Sequence, residues 1–283
     1  MKLIRNDIYN KKGMILDESG KVPLLKFNNL ENTGRVKHGF TTRLGGVSEN
    51  EFSTLNLSFT RGDKKESVYE NFKRVADTFG MHEGDIVCSK QTHTDNIRIV
   101  TVGDKGKGVT KELDYDDVDG LICNQKGILL AGFFADCVPV FLFDPEKNCI
   151  GIIHSGWRGT VKKIGKKAVE IMEKEFYCNK DNIIAGIGPS ICKECYEVSH
   201  DLYDEFSKVY SEKILNKLFE KKENGKYLLD LWLANKYNLL ESGLLEENIE
   251  ITDICTCQNK DILFSHRATG GKRGNLGAFI SLA

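Results

Sequence analysis

Short apolar runs bounded by Gly, Asp, Asn or Pro recur along the chain and predict β-strands. Each run is too short for a buried helix, and several carry the β-branched and aromatic residues that strands favour. The predicted strands cover residues 96–102, 128–135, 139–144, 149–155, 182–188, 249–255 and 262–267.

Other segments repeat their apolar residues at the spacing of one helix face. In 68–80 these are Val68, Phe72, Val75, Ala76 and Phe79, and a similar stripe predicts one helix over 160–176. Further helices are predicted at 199–214, with Ser199 or Asp201 as N-cap, and at 235–243. Strands and helices together predict an α/β or α+β class with at least part of the sheet antiparallel.

The segments 139–144 and 149–155 are separated only by PEKN and therefore predict a β-hairpin. With a turn centred near residue 146, positions that sum to 291 or 292 lie opposite one another, so Cys137 faces His154 or Ser155. Opposed β-carbons on antiparallel strands are about 4.5 to 5.5 Å apart. A metal ion or a hydrogen bond could then join the sulfur and the imidazole.

Length, charge and cysteine content limit the classes of protein to which the chain can belong. The 283 residues can bury a core without disulfides, and no linker divides them, so we predict one domain over 1–283 with 1–35 as a peripheral hairpin region. The 40 basic and 41 acidic side chains lack the excess positive charge of a nucleic-acid binder, which favours a small-molecule partner. The sequence contains no motif from which we predict a protein partner. With no signal peptide or membrane-length apolar run, the nine cysteines predict thiols in the cytoplasm.

His93 supplies a third candidate ligand. Two imidazoles and one thiolate from His93, Cys137 and His154 would leave a fourth position open, as in catalytic zinc sites. Asp136 and Asp119 are candidates to orient a ligand or move a proton. Alternatively, Cys137 is a small buried apolar residue and the histidines are structural.

The SGWRGT segment predicts a turn from strand into helix directly after His154. A helix N-terminus attracts anions, and Arg158 in this turn could bind a phosphate or carboxylate. The alternative is that Arg158 is an ordinary surface arginine.

Several motifs together resemble one known family. They are HGFTTRLGGVS, STLNLS, QTHTDNI, DVDGLI, ADCVPV, HSGWRGT, AGIGPSI with CYEV, and SHRATGGKRG. From His38 to the C-terminus the chain resembles the YfiH family, also called the laccase-domain or multicopper polyphenol oxidoreductase family. The resemblance implies an α+β fold, a single-domain α-β-β-α sandwich with mixed, largely antiparallel sheets like that of cytotoxic necrotizing factor.

The resemblance also implies a zinc-dependent purine nucleoside phosphorylase that cleaves adenosine, inosine and methylthioadenosine with phosphate and deaminates adenosine. It assigns zinc to His93, Cys137 and His154 and places Arg43 of TTRLGG at the pocket. Zinc would activate water for the deamination. Our predicted site residues are catalytic Cys137, His154, Asp136 and Arg43; substrate or phosphate contacts Arg43, Arg158 and Asp119; and metal ligands His93, Cys137 and His154.

Three other functions remain open. Cys137 could be a nucleophile that His154 activates, as in a thiol hydrolase or deamidase. Copper could occupy the same ligands in a laccase-like polyphenol oxidase, although the six histidines include no His-X-His pair of the kind multicopper oxidases use. An accessory role in editing peptidoglycan precursors has been attached to bacterial members of this family.

The chain departs from the family's usual pattern at Ser155 and at Cys192. The second change creates CKEC, with Cys192 and Cys195, which could form a structural metal site with Cys255 and Cys257 of CTC. Because the two pairs lie far apart in sequence for a zinc ribbon, reduced free thiols are favoured.

Overall fold

A computed structural model describes residues 2–10 and 12–283 of the chain. The helices are α1 Asn28–Glu31, α2 Lys65–Thr78, α3 Trp157–Val161, α4 Ile164–Phe176, α5 His200–Ser207, α6 Glu212–Leu218, α7 Leu231–Glu241 and α8 His266–Thr269. Among the described residues, no helix is long and apolar enough to cross a membrane.

The strands are β1 Ile15–Asp17, β2 Leu24–Lys26, β3 Val36–Thr41, β4 Ile86–Cys88, β5 Ile97–Ile99, β6 Gly120–Cys123, β7 Leu129–Phe134, β8 Val138–Asp144, β9 Cys149–Ser155, β10 Ile184–Ile187, β11 Glu197–Val198, β12 Phe219–Lys221, β13 Tyr227–Leu229, β14 Ile249–Ile251 and β15 Leu276–Leu282. They form a first six-stranded sheet in the order β1-β2-β3-β15-β7-β4, a second in the order β14-β10-β8-β9-β6-β5, and a small sheet β11-β13-β12. Most neighbours are antiparallel, while β4–β7, β5–β6 and β10–β14 are parallel.

Three apolar layers hold these elements together. One lies between α2 and the first sheet, where Phe72 and Val75 meet Leu129 and Phe279. The middle layer joins the inner faces of the two sheets, and the third packs α4 and α7 on the second sheet. The order helix, sheet, sheet, helix confirms the predicted α-β-β-α sandwich of the α+β class.

Some predicted elements differ from the structure. The helix predicted over 160–176 is divided into α3 and α4, because Lys163 adopts a left-handed conformation with φ 56°. The helix predicted over 199–214 is likewise divided into α5 and α6, with Ser199 at the first N-cap. The strand predicted at 262–267 is wrong: residues 262–265 form a loop and residues 266 and 267 begin α8, which the Ser265 side chain caps by accepting a hydrogen bond from the Ala268 amide.

The N-terminal region contains the expected hairpin, formed by β1 and β2 at the edge of the first sheet. The region reaches deeper than the predicted peripheral position, since Leu25, Phe27 and Leu30 are fully buried in the middle layer. Met1 and Lys11, which the predicted region 1–35 includes, lie outside the described residues.

The central hairpin exists, but its predicted register is wrong. β8 pairs with β9 so that Val138 lies opposite Ser155 and Pro139 opposite His154. Opposed positions therefore sum to 293 rather than 291 or 292, and Cys137 lies just before β8 rather than opposite His154. Cys137 approaches His154 from the end of the hairpin, not across a strand pair.

Candidate metal centre and adjoining cavity

His93, Cys137 and His154 converge at one end of the second sheet. His93 lies in the loop between β4 and β5, Cys137 precedes β8, and His154 is near the end of β9. Their potential ligand atoms all lie within 4.8 Å of one another. The Cys137 Sγ is 3.8 Å from the His93 Nε2, and the two imidazole centroids are 5.0 Å apart. The structure thus brings the three predicted ligands to a common point.

Asp119 holds two of these ligands from behind. Its Oδ1 is 2.7 Å from the His154 Nδ1, which leaves the His154 Nε2 to face the Cys137 thiol. The same carboxylate accepts hydrogen bonds from the backbone amides of Thr92, His93 and Thr94 at 3.1, 3.1 and 2.9 Å. Burial opposes ionisation, but His154 and these amides outweigh it and lower the pKa of Asp119 to about 2. Asp119 thus lies behind the ligands and is not among the residues that line the cavity described below, so its predicted substrate contact stays a prediction.

Close backbone approach builds the rest of the cluster. His93 and Asp136 both adopt positive φ, 66° and 88°, which turns the chain sharply at one ligand and directly before another. A β-carbon at Gly156 would stand 3.1 Å from the His93 Cδ2 and 3.2 Å from the Cys137 Sγ. A glycine after Ser155 therefore allows the three ligands to meet.

Asp136 anchors the turn that carries Cys137. Its Oδ1 accepts a 2.6 Å hydrogen bond from the Thr256 hydroxyl, and its Oδ2 accepts a 2.7 Å bond from the Arg267 amide. The carboxylate is thereby committed to two loops, and Asp136 is not among the residues that line the cavity described below. These contacts position the turn before Cys137, and the catalytic role of Asp136 stays a prediction.

The three side chains fit a transition-metal ion. Burial alone would raise the pKa of Cys137, but the His154 and His93 imidazoles outweigh it and lower that pKa. Burial would lower the pKa of His154, yet the Cys137 sulfur and Asp119 raise it. The lowered pKa of Cys137 favours the thiolate, which is the form that binds metals. Two imidazoles and a thiolate suit zinc with one open position, and also suit copper.

A cavity of about 870 Å³ adjoins the cluster and includes all three ligands in its wall. Four phenylalanines form an apolar part of the lining, Phe59, Phe72, Phe133 and Phe134. The charged lining residues are five cations and one carboxylate, Arg61, Lys65, Lys90, Lys111, Arg273 and Glu112. A flat aromatic group and an anion can therefore be accommodated together.

The two arginines predicted as anion contacts lie elsewhere. Arg43 donates hydrogen bonds to the Ser53 and Lys260 carbonyls at 2.6 and 3.0 Å and stacks on Phe264, so it ties loops together outside the cavity lining. Arg158 is exposed and stacks on the neighbouring Trp157 ring, in a helix of only five residues. Neither lines the large cavity, because Arg43 binds loop carbonyls and the Arg158 guanidinium lies over the Trp157 ring.

Arg273 is the arginine that sequence reasoning did not single out. It lines the cavity, and its buried Nε has no hydrogen-bond partner among the described residues. Burial and the nearby Arg61 lower the pKa of Arg273 to about 10, still far above neutrality. Its sequence signal was its place in SHRATGGKRG, where adjacent glycines allow a tight turn.

Known proteins resemble the chain over most of its length. A sequence model of the family described as multi-copper polyphenol oxidoreductase laccase matches residues 37–283. The chain is 36% identical over 255 residues to purine nucleoside phosphorylase YlmD of Bacillus subtilis strain 168, covering 89% of this chain and 90% of that protein. It is 31% identical to purine nucleoside phosphorylase LACC1 of Homo sapiens, covering 87% of this chain and 55% of that protein.

Solved structures agree. The crystal structure of Bacillus licheniformis hypothetical protein YfiH superposes with a TM-score of 0.88 at 34% identity, over 97% of this chain and 100% of that one. YlmD from Geobacillus stearothermophilus superposes with a TM-score of 0.87 at 30% identity, over 95% and 99%. With sequence and fold in agreement over nearly its whole length, the chain belongs to the multi-copper polyphenol oxidoreductase laccase family, also known as the YfiH family.

Proposed function

We propose that the chain is a zinc-dependent purine nucleoside phosphorylase that acts on adenosine, inosine and methylthioadenosine and also deaminates adenosine. The observation that carries this proposal is the His93, Cys137 and His154 cluster in the wall of a cavity with both aromatic and cationic lining. Relatives named purine nucleoside phosphorylase, over most of the chain, support the reaction class.

The cavity residues divide the work of phosphorolysis. Arg273, with Arg61 and Lys90 in the same lining, would bind the phosphate dianion, and Phe133 offers a ring surface for the purine. In the reaction a phosphate oxygen forms a bond to the ribose C1′ while the C1′–N9 bond breaks and its electron pair leaves with the base. Fixed cations beside the phosphate neutralise part of its negative charge, which reduces its repulsion of the departing base. They also hold the attacking phosphate oxygen in line with the C1′–N9 bond.

The three metal ligands would bind an ion that acts as a Lewis acid. His93, Cys137 and His154 would bind zinc, which supplies polarisation of a substrate oxygen or nitrogen and activation of water at neutral pH. Asp119 fixes the His154 ring so that its Nε2 faces the cluster, and Asp136 fixes the turn before Cys137.

Product analysis with and without phosphate tests this proposal. Purified protein of known zinc content is incubated with inosine, and we expect hypoxanthine and ribose 1-phosphate only when phosphate is present. Adenosine should give adenine with phosphate, and ammonia whether or not phosphate is added. Zinc-loaded protein that releases neither base nor ammonia would contradict both activities, while base release without ammonia would remove the deaminase alone.

A thiol mechanism is the second candidate. The neighbouring imidazoles lower the pKa of Cys137, and Asp119 holds the His154 ring, as a nucleophile and its base require. Zinc would block such a nucleophile by occupying its lone pairs. Metal-free protein that retains full hydrolase activity and loses it on iodoacetamide labelling of Cys137 would favour this mechanism; protection of Cys137 by stoichiometric zinc would exclude it.

A further inference from the structure

A second group of potential metal ligands consists entirely of cysteines. Cys192 caps a 3-10 turn after β10 and Cys195 is the last residue of that turn, while Cys255 and Cys257 lie in the loop after β14. The sulfurs of Cys192, Cys195 and Cys255 lie within 4.8 Å of one another, and the Cys257 thiol contacts that of Cys195. We call these four residues the thiol cluster.

The fold removes the objection that the two cysteine pairs are distant in sequence. β10 and β14 are parallel neighbours, with Ile187 opposite Ile251, so the chain leaves both strands at the same end of the sheet. Beyond the strands, Ser190 and Cys255 form a parallel bridge, and the Thr256 amide donates to the Ser190 carbonyl at 3.0 Å. The two loops are therefore held side by side by their backbones.

The surroundings of the sulfurs match those of ligands in a closed site. Cys192 and Cys255 are 1% and 0% exposed, Cys195 and Cys257 are half-buried against the same apolar core, and the Cys192 amide donates a 3.3 Å hydrogen bond to the Cys255 sulfur. A single disulfide joins only two sulfurs, so it does not account for three sulfurs around one point. Four cysteines around one point are the usual ligands of structural zinc.

We propose that the thiol cluster binds a second zinc ion, held by Cys192, Cys195, Cys255 and Cys257, with a structural role. All four positions come from protein, so no place is left for water or substrate.

The second ion would stabilise the first site through Asp136. Thr256 stands between two ligands of the thiol cluster and donates its hydroxyl to Asp136, which directly precedes Cys137. The Ile191 amide, next to Cys192, donates to the Asp136 carbonyl at 3.1 Å. Arg267 adds a third link, since its amide binds Asp136 and its guanidinium binds the Cys195 carbonyl. Fixing the thiol cluster therefore fixes the strained turn that presents Cys137.

Zinc stoichiometry of the purified full chain tests this proposal. We expect two zinc ions in the wild type, one in Cys195→Ser, one in Cys137→Ser and none in the double variant. Cys178→Ser, a buried thiol outside both groups, is the matched control and should keep two. One zinc in the wild type that is lost in Cys137→Ser and unchanged in Cys195→Ser would overturn the proposal.

Cobalt spectroscopy covers the case in which Cys195→Ser fails to fold. The thiol cluster is intact in His93→Ala with Cys137→Ser, so this variant is loaded with cobalt alone. We expect the strong visible bands and the near-ultraviolet sulfur-to-cobalt band of a tetrahedral thiolate site. A featureless spectrum, or a disulfide within the thiol cluster found by mass spectrometry of freshly purified protein, would overturn the proposal.

Discussion

The His93, Cys137 and His154 group and the thiol cluster lie at the same end of the second sheet, yet they differ in ligand type and access. Val140 of β8 pairs with Ile187 of β10, so the residues before β8 and after β10 are close neighbours. The first group includes an exposed imidazole and opens on a large cavity, whereas the thiol cluster is packed against apolar residues. Three ligands with an open side favour catalysis, and four closed ligands favour structure.

Loss of a ligand in the open group should have the largest effect on activity. We expect His93→Ala and Cys137→Ala each to abolish nucleoside turnover and to lose one zinc ion, because two remaining ligands hold the ion weakly. The check is metal analysis of each variant alongside phosphorolysis of inosine. Full activity in either variant would remove the cluster from the mechanism.

Arg273→Ala should lower the phosphate-dependent kcat/KM by about 100-fold, the usual cost of removing one charged contact from a reacting group. Deamination of adenosine, which needs no phosphate, should change much less. Arg43→Ala is the matched control, because Arg43 binds loop carbonyls outside the cavity lining. Arg43→Ala should lower the stability of the protein while leaving the KM for phosphate unchanged. If phosphate-dependent cleavage were impaired in Arg43→Ala and unchanged in Arg273→Ala, phosphate binding would have to be assigned to Arg43 instead.

Asp119→Asn should weaken zinc binding or activity by about 10- to 100-fold, the range seen when the group behind a metal-bound histidine is lost. The variant keeps the shape of the side chain but loses the charge that holds His154. Asp117→Asn is the control, since Asp117 accepts a bond from Thr92 in the same loop. Zinc titration should show weaker binding in Asp119→Asn than in Asp117→Asn. Equal zinc affinities in the two variants would contradict the positioning role of Asp119.

Brief dialysis against a chelator should separate the two groups by access. We expect one zinc ion to leave together with activity and to restore activity when it is added back. The second should stay until the chain unfolds, because no open position lets the chelator attack it. Loss of both ions at the same rate would show that the thiol cluster is not closed.

The buried histidine His38 offers a smaller contrast with His154. Both are buried, but the His38 Nδ1 is 3.9 Å from the Glu31 carboxylate, too far for a hydrogen bond, and burial with the nearby Lys26 lowers the pKa of His38 to about 3. The unfolded chain binds a proton at this residue below about pH 6.5, whereas the folded protein does not, so stability falls as the pH decreases from 6.5 toward 3.

At pH 5 this cost reaches about 2 kcal/mol relative to neutral pH. Urea unfolding of the wild type and of His38→Gln at pH 5 and pH 7.5 measures it. The stability lost through the substitution should be smaller at pH 5 by that amount. An unchanged difference would mean that His38 is protonated equally in both states.

Hydrophobic periodicity in the sequence was enough to determine most element types. The runs at 139–144 and 149–155 form the predicted hairpin, and the stripe at 68–80 forms most of α2. The sequence motifs predicted the fold and the three residues that meet at the end of the second sheet, His93, Cys137 and His154. These features depend on local patterns or on short separations along the chain, which the sequence displays directly.

Only the tertiary structure decided which other side chains join them. The register of the hairpin placed Cys137 just before β8 instead of opposite His154, and loop packing directed Arg43 away from the cavity while placing Arg273 in its wall. The parallel pairing of β10 with β14 brought Cys192 and Cys255 together across more than sixty residues. Such contacts depend on strand order, register and packing between distant segments, and no local pattern of polar and apolar residues records them.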